Sequence, residues 1–228
     1  MPDYRAIYQN QAAQYDLMVS REDYQGKLLP ALSDVRSLSD ADVIELGAGT
    51  GRLTVQIAPL ARSLVALDGS EHMLGVLRGK LPSARVVAAD NRALPLPDHS
   101  ADVAIAGWSI AHSVGWYPDT WRDETGRALA EITRILRPGG TAILLETLGT
   151  GNETPAPPTD GLAAFYQTLE NEYGFTLTAL RTDYRFESPA EGQALLRFFF
   201  GDELADRIVA EQLTVLPECT GIWWRTLA

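Results

Sequence analysis

The stretch Asp42-Val43-Ile44-Glu45-Leu46-Gly47-Ala48-Gly49-Thr50-Gly51 decides the reading of this chain. A short apolar run ends in a turn with three glycines, and Leu53, Ile57 and Leu60 follow at helical spacing. Glycines at a strand-to-helix turn let the backbone bend sharply and approach a ligand closely. The helix behind them offers free N–H groups at its start, which suit an anionic or polar ligand. Nucleotide, dinucleotide and adenosyl ligands all use such a loop, and a tight turn needing positive φ has the same composition.

Outward from this loop the pattern repeats. Residues 63–68, 85–90, 102–107 and 141–146 are further apolar runs, and helical spacing separates them: Met73, Leu74 and Leu77 behind a Ser70 cap, then Ala128, Ile132, Ile135 and Leu136. Arg137-Pro138-Gly139-Gly140 stops the second of these helices. Strands alternating with helices predict a doubly wound α/β core around a mostly parallel sheet. The runs show little alternation, as expected when helices cover both faces. Residues 149–161 read as an extended loop, 162–173 as a helix, 175–186 as a sixth strand, 188–212 as helical and 220–227 as a final strand. The chain is expected to be one domain over 1–228: a helical lid at 1–40, a core at 41–147, and a C-terminal half at 148–228 whose helical insert at 188–212 forms the other wall of the ligand site.

Composition narrows the partners. The 228 residues carry 19 basic and 30 acidic side chains, a formal charge of −11, and no Lys/Arg run. A field of that sign repels polyanions, so nucleic acid and acidic lipid are not expected partners. The single cysteine, Cys219, can close no intrachain disulfide and build no Cys-rich metal site, and no metal is expected. No leader-like or membrane-length apolar run occurs, which predicts a cytoplasmic protein.

Three acids sharpen the ligand. Glu45 stands two residues before the first glycine, where a dinucleotide site is apolar, and Arg52 stands where the dinucleotide fingerprint wants a third small residue. No Gly-Lys-Ser/Thr triplet of a P-loop occurs. Asp68 ends the second strand 21 positions after Gly47, where a carboxylate accepts ribose hydroxyls, and Asp90 ends the third. Glu45, Asp68 and Asp90 thus each sit at the end of a different strand.

These residues resemble a family. Glu45-Leu46-Gly47-Ala48-Gly49-Thr50-Gly51, Leu67-Asp68-Gly69-Ser70-Glu71-His72-Met73-Leu74, Ala89-Asp90-Asn91-Arg92-Ala93-Leu94-Pro95-Leu96-Pro97 and Leu136-Arg137-Pro138-Gly139-Gly140 look like the ordered motifs of class I S-adenosylmethionine-dependent methyltransferases, over residues 41–147. The resemblance implies a Rossmann-like seven-stranded sheet with its last strand antiparallel and S-adenosylmethionine as cofactor. It implies that Gly47, Ala48 and Gly49 line the methionine part, Glu45 orients its ammonium, and Asp68 holds the ribose. Ser70 and Met73 would flank ribose or adenine, Asp90 would meet the adenine amino group, and Asn91 would lie beside the ring. Gly69 departs from the larger apolar residue usual after the ribose acid, and Met73 can fill that space. Gly107 and Trp108 would lie near the sulfonium, and Tyr15, on a lid resembling that of small-molecule methyltransferases, would reach cofactor or acceptor.

Methyl transfer is an in-line displacement that depends mainly on positioning, with a base required only when the acceptor must lose a proton. His112, in Gly107-Trp108-Ser109-Ile110-Ala111-His112, is the candidate base, with a helix-start role as the alternative; Trp116, Tyr117 and Trp121 are candidates for the acceptor wall. The expected function is methylation of O, N or C on a small-molecule acceptor. A protein methyltransferase, a non-catalytic adenosyl-binding protein and a nicotinamide-dependent oxidoreductase stay open as alternatives.

Overall fold

The computed structural model describes residues 3–228. Three helices, α1 (Tyr4–Asn10), α2 (Ala12–Val19) and α3 (Leu28–Val35), precede β1 (Asp42–Leu46). Then come α4 (Thr54–Ile57), β2 (Ser63–Asp68), α5 (Glu71–Lys80), β3 (Arg85–Ala88), β4 (Ala101–Gly107), α6 (His112–Trp116) and α7 (Trp121–Ile135). The chain continues through β5 (Leu136–Thr150), α8 (Asp160–Asn171), β6 (Thr176–Arg181), β7 (Tyr184–Arg185), α9 (Pro189–Phe199), α10 (Asp202–Ala210), β8 (Val215–Leu216) and β9 (Glu218–Thr226). Seven strands form one sheet in the order β3-β2-β1-β4-β5-β9-β6. β9 runs antiparallel between β5 and β6, and the pairs among β1 to β5 are parallel. The expected architecture is the observed one.

The period of two along each strand explains the two cores. Ile44 and Leu46, Ala104 and Ala106, and Ala142 and Leu144 face Ala128, Leu129, Ile132 and Ile135 of α7 and Phe165 and Leu169 of α8. Val43, Val103, Ile105, Ile143 and Leu145 face the opposite side, against Leu28 and Leu32 of α3 and Leu53 and Ile57 in and before α4. The central strands β1, β4 and β5 are thus buried on both faces. The order reverses between β1 and β4, whose chains leave toward opposite faces, and this opens a crevice at their carboxyl ends.

Three expectations are corrected. Of the residues assigned to a lid, only α1 and α2 lie over the crevice; α3 is buried in the sheet's second core, because Leu28 and Leu32 form its apolar face. The segment 188–212 is two helices, since Gly201 at φ +92° ends α9, with Leu196 O accepting from both Phe200 and Gly201 N–H. The strand expected over 175–186 breaks after Arg181. Asp183 accepts there from Arg181 Nε at 2.7 Å and Glu218 N–H at 3.0 Å, and Tyr184–Arg185 pairs with Val215–Leu216 instead.

Trp223 of β9 is fully buried, stacks on Tyr166 of α8 at 4.3 Å between ring centroids, and donates its indole N–H to Glu170 at 3.0 Å. Trp223→Ala is expected to cost about 3–5 kcal/mol, read as a lower denaturant midpoint with an unchanged slope. An unchanged midpoint would show that this contact does not hold α8 to the sheet.

Candidate active site

A cavity of about 680 Å³ opens at the carboxyl ends of β1, β2 and β4. Its size is in the ~300–1,000 Å³ range of small-ligand sites. The glycine loop forms its floor. Gly47 and Gly49 both have positive φ, +65° and +54°. A Cβ on Gly47 would lie 2.3 Å from Ser109 Cβ and 2.6 Å from Ser109 Oγ, so the loop after β4 occupies the room that the missing side chain leaves.

Asp68 ties this floor together. One carboxylate oxygen accepts from Gly49 N–H at 2.9 Å and the other from Ser70 N–H at 2.7 Å. Burial pushes its proton affinity up, and the two N–H bonds oppose that. Ser70 caps α5: its hydroxyl accepts from Met73 N–H at 3.3 Å and donates to Tyr8 O at 2.8 Å, which fastens α1 to the core.

Tyr15, Gly69, Met73, Asp90, Asn91, Gly107, Trp108 and His112 all line the cavity, as do Gly47, Gly49, Asp68 and Ser70. Glu45 and Ala48 line a recess of about 20 Å³ beside it, bounded also by Tyr15, Gly47, Gly49, Arg52 and Trp108. Glu45 falls on the same strand face as Val43, and so its carboxylate turns toward α4 and accepts from Thr54 Oγ1 at 2.6 Å. Burial pushes its pKa up to about 8. Asp90 is less available than its position suggests. Arg92 grips it through Nη2 at 2.5 Å and Nε at 2.8 Å, which holds its carboxyl below the usual range, and a second fork nitrogen of Arg92 reaches Glu124 at 2.6 Å.

His112 begins α6 and is enclosed by aromatic rings, stacking on Trp116 at 4.7 Å and lying 3.2 Å from Tyr8 Oη through Nε2. Desolvation pushes its pKa down to about 4, so the ring is neutral at pH 7. Trp116 and Tyr117 line the cavity, but Trp121 packs on Phe165 instead. No residue of 188–212 lines it either. Phe199 packs at a tilt against Tyr4 and Tyr15, with ring centroids 5.0 and 5.4 Å away, so the insert supports the lid from behind.

Among the lining residues, Arg5, Gln9 and Ser109 escaped the sequence reading, whereas Asn91 and Trp108 were expected there. Ser109 Oγ and Asn91 Oδ1 are buried without a hydrogen-bond partner, on opposite sides of the cavity. Buried polar atoms are normally paired, and those left open at a cavity wall are places for ligand groups. Trp108 has φ +47°, a conformation that costs a bulky residue energy and is held by its N–H to Leu145 O at 2.7 Å. Glu146 is buried, with its pKa pushed up to about 8, and accepts from Ala111 N–H at 3.0 Å, which fixes the approach to His112. A signal for Glu146 existed: like Glu45, Asp68 and Asp90, it is an acid near a strand's carboxyl end.

These residues fit a nucleoside with an amino-acid tail: a glycine cradle without side chains, a carboxylate two loops hold in place, and open polar atoms on the walls. Gly47→Ala is expected to destabilise by about 1–3 kcal/mol and to close the floor against ligands; an alanine variant with unchanged stability would mean that Ser109 moves freely. The neutral state of His112 makes a pH prediction. A histidine in the unfolded chain titrates near 6.5, so between pH 6.5 and 4 the unfolded state binds a proton that the folded state refuses, and stability falls with acid. Glu45 and Glu146 act in the opposite sense from about pH 4.5 to 8, where folding keeps them protonated. The contribution of His112 is therefore read as a difference: relative to His112→Phe, the parent chain should lose about 3 kcal/mol between pH 6.5 and 4, and parallel curves would refute the buried neutral ring.

Residues 44–144 match a family model described as "Methyltransferase domain". An uncharacterized methyltransferase of Mycobacterium tuberculosis is 37% identical over 98 residues, 43% of this chain and 36% of that protein. A malonyl-[acyl-carrier protein] O-methyltransferase of Pectobacterium atrosepticum is 31% identical over 138 residues, 60% of this chain and 50% of that protein. The chain thus spans about a third to a half of the length of these curated relatives. Among solved structures, a SAM-dependent methyltransferase from Aquifex aeolicus superposes with a TM-score of 0.54 at 12% identity, covering 99% of this chain and 94% of that one. Among the described residues no helix is long and apolar enough to cross a membrane. Sequence motifs, sheet order and the family match point the same way: residues 44–144 resemble a methyltransferase domain, and the chain shares the fold of the SAM-dependent methyltransferase structure it superposes on.

Proposed function

We propose that this chain transfers a methyl group from S-adenosylmethionine to a small-molecule acceptor held between the lid helices and residues 108–117. The observation that carries this reading is Asp68, a carboxylate on the cavity wall whose two oxygens are held by Gly49 and Ser70 N–H, so that its remaining lone pairs face a vicinal diol. Bound there, the cofactor supplies a methyl group activated by a sulfonium. Gly47 and Gly49 allow close backbone approach, Ser70 and Met73 flank the nucleoside, and Asn91 offers its open carbonyl oxygen to the base. Asp90, held by Arg92, contributes mainly by fixing the shape of that end.

The acceptor end is aromatic: Tyr8, Trp116 and Tyr117 wall it, and the guanidinium of Arg5 lies 4.9 Å from the Trp116 ring centroid. A recessed pocket walled by rings favours a small acceptor over a folded protein surface. His112, neutral and bonded to Tyr8, orients an acceptor and can take a proton from it; an acceptor already ionised needs no base.

A thermal-shift panel tests this. S-adenosylmethionine and S-adenosylhomocysteine at 100 times Kd should stabilise by about 2.7 kcal/mol, or roughly 5–10 °C for a chain of this size, and NAD should not. Asp68→Ala should weaken both adenosyl ligands by about ten- to a hundredfold. A shift with NAD alone would sink the reading, and an unchanged shift in Asp68→Ala would remove the ribose assignment. A homocysteine-release screen over small acids, phenols and amines then identifies the acceptor.

A further inference from the structure

Helix α1 turns one face to the cavity. Arg5, Tyr8 and Gln9 stand at the i, i+3, i+4 spacing that puts three side chains on one helix face, and all three line the cavity. Tyr8 is engaged with His112 at 3.2 Å. Arg5 is exposed at the rim. It stands in the first turn of α1, where the helix dipole disfavours a cation, so helix stability does not account for it.

Among the described residues the cavity wall has two cationic side chains, Arg5 and Arg92, and they are used differently. Arg92 is spent inside the protein, on Asp90 at 2.5 Å and Glu124 at 2.6 Å. These pairs also occupy two of the wall's acids, and Gly49 and Ser70 N–H hold the third, Asp68. The guanidinium of Arg5 has no ion-pair or hydrogen-bond partner among the described residues. It lies against rings instead, with Cζ 4.9 Å from the Trp116 centroid and 5.5 Å from that of Tyr117. Both distances are within the ~6 Å reach of a cation–π contact. Such contacts orient the guanidinium and leave its N–H donors unspent, in a planar fork that matches a carboxylate. An oriented cation with open donors, beside two ring walls, is complementary to a flat apolar body carrying a carboxylate.

We infer that Arg5 binds a carboxylate on the acceptor, so that this site selects small acids with a flat apolar body over their neutral counterparts. The inference rests on the methyl-transfer reading and names the substrate class for that same site. Trp116 and Tyr117 hold the apolar body, and Gln9 offers an amide on the same helix face as Arg5. The formal charge of −11 does not oppose a small anion here. At physiological salt, charges more than ~8 Å apart are largely screened, and Arg5 acts at contact.

Matched acids and amides separate the outcomes. Benzoate and indole-3-acetate are titrated into the chain saturated with S-adenosylhomocysteine, beside benzamide and indole-3-acetamide, which keep the shape without the charge, and binding is followed by NMR chemical shifts. The unmodified chain should bind each acid at least about fivefold more tightly than its amide. That ratio should shrink as salt rises from about 0.05 to 0.5 M. Arg5→Gln should bring acid and amide to about equal affinity, and Arg5→Lys should keep part of the preference. A merely structural Arg5 would weaken acid and amide alike in Arg5→Gln and leave their ratio as it was, which overturns the inference. So does equal affinity for acid and amide in the unmodified chain, and so does binding of no probe at about 10 mM, a concentration at which even a weak site registers. The comparison on the unmodified chain decides even where a variant fails to fold. A chain that binds no S-adenosylhomocysteine is a different result, overturning the cofactor reading and this inference with it.

Discussion

The site depends on one carboxylate. Asp68 leaves β2 at its carboxyl end, and its oxygens accept from Gly49 N–H in the neighbouring loop and from Ser70 N–H at the start of α5. Without it the glycine loop and the α5 N-terminus would be two separate loops, each with an N–H group lacking a partner in a poorly hydrated place. With it they form one rigid edge. The parallel pairing of β1 and β2, in register from Asp42 with Ser63 to Leu46 with Leu67, puts the two loops side by side, and the carboxylate completes the junction. Burial opposes the charge and the N–H bonds favour it, which is the balance expected of an acid kept ready to accept hydrogen bonds.

The lid is attached to this edge at a few points. Ser70 Oγ holds Tyr8 O, Tyr8 Oη meets His112, and the Glu22 carboxylate after α2 meets Arg52. Between these points, Met18 and Val19 pack with Leu195, Leu196 and Ile208 in a small core of their own. The α1 helix is seven residues long with Ile7 as its one buried residue, so little apolar area holds it down. Elements with few buried contacts open at low free energy. A lid fastened by hydrogen bonds to residues of the cavity wall suits a site that must admit one molecule and release another.

The sheet was legible because its evidence is local and repeated: apolar runs, turn glycines and strand-end acids recur along residues 42–146 and each supports the others. The antiparallel last strand came only with the family resemblance, and the strand order only with the structure. What was not legible depends on contacts across long separations. Nothing near Tyr8 in sequence marks it as the partner of His112, 104 positions away, and nothing near Glu22 marks Arg52 or Tyr184. Trp116 and Trp121 looked equivalent as candidate walls. Trp116 lies at the end of the short α6 under the lid, while Trp121 starts α7 and points into the core against Phe165. Asp90 lines the cavity, but its neighbour Arg92 changes what it can do, and that grip is a matter of side-chain geometry.

The acidity of the chain also takes on a different meaning at the site. The formal charge of −11 counts Glu45 and Glu146 as ionised, yet burial pushes both up to about 8, so near pH 7 each is mostly protonated. The field inside the crevice is therefore less negative than the count suggests, and the charges that remain there are local and paired: Asp68 with N–H groups, Asp90 with Arg92, Glu22 with Arg52. A ligand carrying an ammonium beside Glu45 would favour the ionised carboxylate and so release a proton on binding. The overall charge governs only which large polyelectrolytes approach the surface; selection within the crevice rests on these few paired groups.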